Sequence, residues 1–210
     1  MVDFNLISEN LQKGKAKDVE ALVAQAIADN VNAKDILEQG LMAGMAVIGE
    51  RFKKNEIFVP EVLIAARAMN AGMKLLKPLL VSSGVKARGT VVIGTVKGDL
   101  HDIGKNLVAM MMEGAGLKVV DLGTDVSPER FIEAAKTENA NIIACSALLT
   151  TTMTQMKNVV QAAEAAGIRD KVKIMVGGAP VTDSFCQSIG ADKYSPDAAT
   201  AAEVAAALCS

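Results

Sequence analysis

The 210-residue chain has no tryptophan, one tyrosine and five phenylalanines, so six aromatic rings serve the whole molecule. That scarcity argues against base-stacking platforms for nucleic acid and against aromatic cages for quaternary ammonium ions. There is one histidine, His101, and the three cysteines, Cys145, Cys186 and Cys209, form no CxxC pair. A protein-built zinc site draws on several such ligands, so chemistry at His101 would work with carboxylates, with hydroxyls or with a cofactor that brings its own metal. The odd, scattered cysteine set gives no disulfide framework and predicts a reduced, cytoplasmic setting. Charge of one sign is lacking too: 22 basic residues against 24 acidic leave a net charge of −2. No nucleic-acid footprint and no polybasic membrane patch are expected. No apolar run approaches a bilayer span, and the opening MVDFNLISENLQKGK is too polar for a signal peptide.

What is present divides in two. Half of the residues are apolar, enough for one large domain or two small ones with their own cores. Up to residue 82 the pattern is helical. Val19, Leu22, Val23, Ala26 and Ile27 follow the stripe of a half-buried helix, and Leu41, Met45, Ile48 and Phe52 form a second row. Pro60 opens a further helix carrying Leu63, Ala66, Met69, Asn70, Met73 and Leu76, which Pro78 is expected to stop. Residues 1–82 are therefore predicted to form a bundle of four or five short helices. The stretch from Pro78 to Gly89 has the composition of an exposed linker, with 83–89 as the connection proper.

Over 90–210 the period changes. Apolar, β-branched runs at Thr90–Val96, Lys118–Leu122, Asn141–Ala147 and Lys173–Val176 alternate with helical stretches. The helices are expected at Ile103–Ala115, Pro128–Thr137, Met153–Ala166, Asp183–Ile189 and Ala198–Leu208. Strands buried on both faces and separated by helices predict the α/β class, a doubly wound parallel sheet. With a last strand edge at Tyr194, five strands are expected.

Ligands of open α/β sheets bind beyond the carboxyl ends of the strands, which singles out Lys97–Gly104, Ser146–Met153, Gly177–Pro180 and Tyr194–Ala198. His101 follows the first strand directly, with Asp99 two residues before it and Asp102 next to it. A carboxylate this close accepts an imidazole N–H, fixes the tautomer and makes the other nitrogen a better ligand. The plainer alternative is a loop histidine that caps the following helix. Gly177-Gly178 permits close backbone approach, and Ser146 with Thr150-Thr151-Thr152 offers hydroxyls. Singly these are ordinary turn and cap residues; together they describe a wide polar trough. The GxGxxG and P-loop phosphate fingerprints and the GxSxG elbow are absent. No cysteine lies near His101 in sequence to make a Cys–His pair.

Asp99-Leu100-His101-Asp102-Ile103-Gly104 matches the DxHxxG signature of cobalamin-binding domains. After 41 intervening residues Ser146-Ala147-Leu148 matches that family's SxL element, and 28 residues beyond Leu148 separate it from Gly177-Gly178, the GG element. The segment GERFKKNEIFVPEVLIAARAMNAGMKLLKP resembles the helical cap module that precedes such domains. Over nearly its whole length the chain resembles the small corrinoid methyl-carrier proteins of methanogens and acetogens, which serve methylamine, methanol and methoxyaromatic systems. It is similar, too, to the cap and cobalamin modules of methionine synthase.

The resemblance implies a flavodoxin- or Rossmann-like sheet domain holding cobalamin or a related corrinoid, its benzimidazole detached and His101 the lower axial ligand of cobalt. Asp99 would hold the other ring nitrogen, and Thr152, where related proteins usually carry serine, would complete a His–Asp–hydroxyl relay. Gly98, Leu100, Asp102, Ile103, Gly104, Thr150 and Met153 would bind the cofactor as well; Ser146 and Leu148 would line the nucleotide slot. Gly177, Gly178 and Ala179 would let the backbone approach the nucleotide, and Tyr194, Ser195, Asp197 and Ala198 would border its tail. Leu63, Met69 and Met73 would shield the methyl group, unless they simply pack the bundle, with Ser82–Arg88 as the hinge of that lid. In function, cob(I)amide would take a methyl group through a substrate-specific methyltransferase. Methylcob(III)amide would give it through a second methyltransferase to tetrahydrofolate or coenzyme M, with a reductive activator protein in attendance. The chain alone would be a shuttle rather than a complete enzyme. One alternative shares DxHxxG, the small subunit of an adenosylcobalamin mutase, which generally lacks the helical module; another, from a different class, is a cobalamin sensor, which needs an effector segment. A corrinoid-free flavodoxin-like domain is the fourth reading. The methyl donor is not written in the sequence; overall resemblance leans towards methoxyaromatic O-demethylation.

Overall fold

The computed structural model describes residues 3–209. It falls into two units, one made of the chain through Ala87 with Gly114–Gly116, the other of Arg88–Glu113 and Leu117 onward. In the first unit, Asp3 starts α1 (Phe4–Gln12) by accepting from the N–H groups of Asn5 (2.9 Å) and Leu6 (3.3 Å). α2 (Ala16–Ala28) buries Val19, Val23 and Ala26, with Leu22 and Ile27 half-buried beside them. α3 (Ala33–Asp35) runs into a π-helical segment, Ile36–Met42, and on into α4 (Ala43–Lys53), where Met45 and Ile48 are buried. Glycines let these helices approach closely. A β-carbon on Gly40 would come within 3.1 Å of Ile7, one on Gly44 within 3.1 Å of Leu11, and one on Gly72 within 3.0 Å of Leu41.

α5 (Val59–Ser82) begins with Pro60 in its first turn but does not stop at Pro78. A helical proline forfeits one N–H bond and crowds the carbonyl four residues earlier. Here buried Leu80 lies beyond it, and the helix ends only where the hydroxyls of Ser82 and Ser83 reach the Leu79 carbonyl, at 2.9 and 2.8 Å. Gly84 then turns at φ 71°. Pro78–Ser82 is therefore helix rather than linker.

The second unit alternates β1 (Thr90–Thr95), α6 (Ile103–Gly114), β2 (Lys118–Asp121), α7 (Pro128–Thr137), β3 (Ile142–Ser146), α8 (Thr154–Ala165), β4 (Lys173–Gly177), α9 (Asp183–Ser188), β5 (Lys193–Tyr194) and α10 (Ala198–Leu208). All strand pairs are parallel, in the order β2-β1-β3-β4-β5. Helices cover both faces, which is why β1 and β3 read as continuous apolar runs. β5 has two residues, too short to give a run of its own. The order reverses at β1, with β2 on one side and β3 on the other, the place where open α/β sheets bind ligands beyond the strands' carboxyl ends. Register there pairs Thr95 with Ser146 and Ser146 with Gly177. No described helix is long and apolar enough to cross a membrane.

Candidate functional site

The reversal at β1 sets the loop after β1 against the loop after β3, and one carboxylate joins them. Asp99 is 0% exposed. Its Oδ1 accepts from the backbone N–H of His101 (3.1 Å) and lies 2.7 Å from His101 Nδ1. Its Oδ2 accepts from the N–H groups of Leu148 (2.8 Å) and Leu149 (3.2 Å) and from the Thr152 hydroxyl (2.8 Å). Burial by itself would push the carboxyl up, but the hydrogen bonds from His101, Leu148 and Thr152 outweigh it and hold Asp99 well below the usual carboxylate range. An ionised carboxylate only accepts, so Nδ1 of a neutral imidazole carries the ring proton and Nε2 keeps its lone pair. The ring is half exposed, at 51%, and Nε2 has no partner among the described residues.

The rest of the DxHxxG segment serves the same loop. Gly98 turns at φ 82°. A β-carbon on Gly104 would meet nothing within 4 Å, so open space lies at the start of α6. Asp102 holds the first turn of α6, accepting from the side chain of Asn106 at 3.1 Å. Large apolar side chains stand exposed on both loops: Leu100 at 73% and Ile103 at 77% after β1, with Leu148 and Leu149 after β3. Exposed apolar groups of this size beside an accessible imidazole make a surface for a flat, apolar ligand. No cluster of three potential metal ligands exists among the described residues, so a metal at Nε2 must bring its other ligands with it.

Other expected residues divide into those open to a ligand and those already engaged. Ser195 is buried, and its Oγ has no hydrogen-bond partner among the described residues. A buried hydroxyl without a partner is costly, and here it sits beyond β5, where its own carbonyl is 3.4 Å from a β-carbon placed on Gly177. Thr150 and Ala179 are exposed, Ser146 is half-buried, and Met153 and Tyr194 pack partly against the sheet core. Gly178 is required by the fold itself. At φ 130° its β-carbon would run into the Ala147 carbonyl, so glycine is needed by the protein's own backbone. Asp197 is also engaged: its carboxylate caps α10, accepting from the Thr200 N–H at 2.8 Å and hydroxyl at 2.7 Å, and Ala198 behind it is buried. In the helical unit Leu63 is exposed, Met73 half-buried and Met69 buried, at 3% exposed.

Three participants carry no sequence signal. Thr95 donates its hydroxyl to the His101 carbonyl at 2.8 Å, Asp125 accepts from the Gly98 N–H at 2.7 Å, and Leu149 supplies a backbone N–H to Asp99. Nucleophilic cysteine chemistry finds no support: burial pushes the Cys145 thiol up to about 12, and Cys186 and Cys209 are raised as well. Taken together, the open imidazole, the apolar side chains, the open space at Gly104 and the unpartnered Ser195 hydroxyl fit a corrinoid.

Comparison with known proteins agrees. A B12 binding domain family matches residues 89–205, and a second B12 binding domain family matches 4–77. The chain is 48% identical over 195 residues to trimethylamine corrinoid protein 1 of Methanosarcina acetivorans, covering 88% of this chain and 90% of that one. It is 46% identical to the dimethylamine corrinoid protein of Methanosarcina barkeri, with 88% and 87% covered. Among solved structures, the methanol:cobalamin methyltransferase complex of Methanosarcina barkeri superimposes with a TM-score of 0.87 at 33% identity, over 98% of this chain and 79% of that one. The chain belongs to the family of B12-binding corrinoid proteins of methyltransferase systems, and its cofactor is cobalamin or a related corrinoid.

Proposed function

We propose that this protein carries methyl groups on its corrinoid in a methylamine methyltransferase system, with His101 as the lower axial ligand in place of the corrinoid's own benzimidazole. When bound, the corrinoid supplies a cobalt centre that accepts a methyl group and releases it again. The site that would hold it is built from this chain's own side chains and backbone groups. Asp99 holds Nδ1–H, fixes the ring's tautomer and orientation and leaves Nε2 as the donor atom. Thr152 and the backbone N–H groups of Leu148 and Leu149 keep Asp99 ionised although it is buried. Leu100, Ile103, Leu148 and Leu149 offer apolar contact to the macrocycle, and Ser195 Oγ offers a hydrogen-bonding group to the buried part of the ligand. The single observation that carries the reading is the Asp99–His101 bond with Nε2 left unpartnered.

The methyl group enters through a substrate-specific methyltransferase and leaves through a second, to tetrahydrofolate or coenzyme M, and a reductive activator restores oxidised cofactor. These partners, all in the cytoplasm, hold the substrate sites; the chain itself is the shuttle between them. Tri- and dimethylamine are favoured as donors over methoxyaromatics because the relatives quoted above are named for methylamines. The test loads the protein with reduced cobalamin and offers 13C-methyl donors, each with its own methyltransferase. Label is expected on the protein-bound cofactor from trimethylamine or dimethylamine. Uptake from a methoxyaromatic donor alone would overturn the methylamine assignment, and a protein that loses all cobalamin on desalting would overturn the carrier reading.

A further inference from the structure

We infer that Asp125, on the loop after β2, is a positioning residue that, together with Thr95, clamps the His101 loop in place for cobalt ligation. The inference rests on the axial-ligand reading above. Beyond β1 the chain continues alongside the loop after β2, with Val96 bridged to Val126. Backbone bonds tie the two: the Thr95 N–H donates to the Gly123 carbonyl (2.9 Å) and the Val126 N–H to the Thr95 carbonyl (3.0 Å). Asp125 then holds the turn itself at two points. Its N–H donates to the Asp99 carbonyl at 3.0 Å, and its Oδ1 accepts from the Gly98 N–H at 2.7 Å. One residue thus grips the backbone on both sides of the Gly98–Asp99 peptide.

Thr95 holds the other end of the turn. It is fully buried, and its hydroxyl donates to the His101 carbonyl at 2.8 Å. The backbone from Gly98 to His101 is therefore fixed at three places by groups outside it, independently of the hydrogen bonds to the Asp99 carboxylate. Asp125 adopts φ 54° and Gly98 φ 82°. Left-handed backbone at a non-glycine residue is uncommon, persists where surrounding contacts enforce it, and is tolerated best by Asn and Asp. A ligand atom on a short side chain inherits the precision of the backbone that carries it. Loosening the turn would weaken both the Asp99–Nδ1 bond and the placement of Nε2.

Asp125→Gly removes the acceptor yet suits the left-handed backbone, and Asp125→Asn keeps a side-chain carbonyl oxygen; Thr95→Val removes the hydroxyl at nearly constant shape. The chain has one histidine, so the ring 15N signals of the cofactor-free protein belong to His101 without assignment. Asp125→Gly is expected to lower the ratio of the Nδ1-protonated to the Nε2-protonated tautomer about fivefold, the worth of one ordinary hydrogen bond. Asp125→Asn is expected to restore it. In protein loaded with cob(II)alamin, the ratio of histidine-ligated to unligated cobalt is expected to fall by a similar factor. It is read from the nitrogen splitting in the electron paramagnetic resonance spectrum that His101→Ala abolishes. Asp125→Gly and Thr95→Val variants unchanged in both ratios, in a protein whose wild type shows that splitting, would overturn the clamp. A wild type with no His101-dependent splitting would instead sink the axial-ligand reading and the ligation role of Asp125 with it. The tautomer ratio would then still report whether Asp125 positions the ring.

Discussion

The helical unit and the sheet unit use their polar groups differently. In the first, Lys13–Glu9, Lys15–Asp18, Lys34–Glu38 and Lys54–Glu50 pair across one helical turn in solvent, while apolar side chains and close-packed glycines hold the helices together. In the second, a fully buried carboxylate gathers donors from residues 49, 50 and 53 positions along the chain. Exposed local pairs contribute little, whereas a buried carboxylate with long-range donors is expensive to disrupt. The difference teaches where function resides. The sheet unit confines its long-range buried polar contacts at Asp99 to one strand edge and leaves a single group of that network, the His101 ring, open to solvent.

The sharpest way to break this comparison is Asp99→Ala. It removes the acceptor of the Leu148 and Leu149 N–H groups and leaves the Thr152 hydroxyl only the Leu149 carbonyl, and a loss of about 2 kcal/mol is expected in urea unfolding, with cobalamin lost on desalting. Unaltered stability would mean that the buried network is not what holds this edge together. Asp99→Asn adds the pH dependence. A carboxyl held below its ordinary value stabilises the fold fully above the unfolded value of about 3.9, and that contribution fades as pH falls through the folded value. The gap between wild type and Asp99→Asn should therefore be constant near neutrality and shrink only in acid; a gap closing between pH 6 and 8 would point to a different group.

Gly72→Leu probes the other unit. Its new side chain would collide with Leu41 and Val19, at a cost of about 2 kcal/mol in unfolding free energy. The His101 ring signals of the cofactor-free protein should stay as in wild type. A smaller effect is expected from Thr152→Val, about 1.5 kcal/mol for one hydrogen bond to a charged acceptor. Thr152→Ser should recover most of it, since the hydroxyl, not the methyl group, reaches Asp99. Equal losses in Thr152→Ser and Thr152→Val would assign the residue to packing instead.

Much of this was legible in the sequence because periodicity reports burial. α7 and α10 begin and end where the residue pattern places them, each opened by an oxygen-bearing cap, Ser127 and Asp197. Pro78 misled because a proline penalty is local, and the turn beyond it is anchored by Leu80 and closed by serine hydroxyls. The π-helical segment Ile36–Met42 has no signature in the residue pattern, although its Gly40 lies close against Ile7. At the site, the Asp99–His101 contact follows from a two-residue separation, which sequence can show. The roles of Gly178, Asp197, Thr95 and Asp125 are set by strands and loops that meet only after folding, through the Ala147 carbonyl, the start of α10 and the loop after β2.

The central claim is that Nε2 of an Asp99-held His101 ligates the corrinoid cobalt. The most direct test is electron paramagnetic resonance of the cob(II)alamin-loaded protein, made once with ordinary histidine and once with 15N-histidine. With one histidine in the chain, a three-line nitrogen splitting should collapse to two lines on labelling. A splitting indifferent to the label, or none at all, would contradict the account.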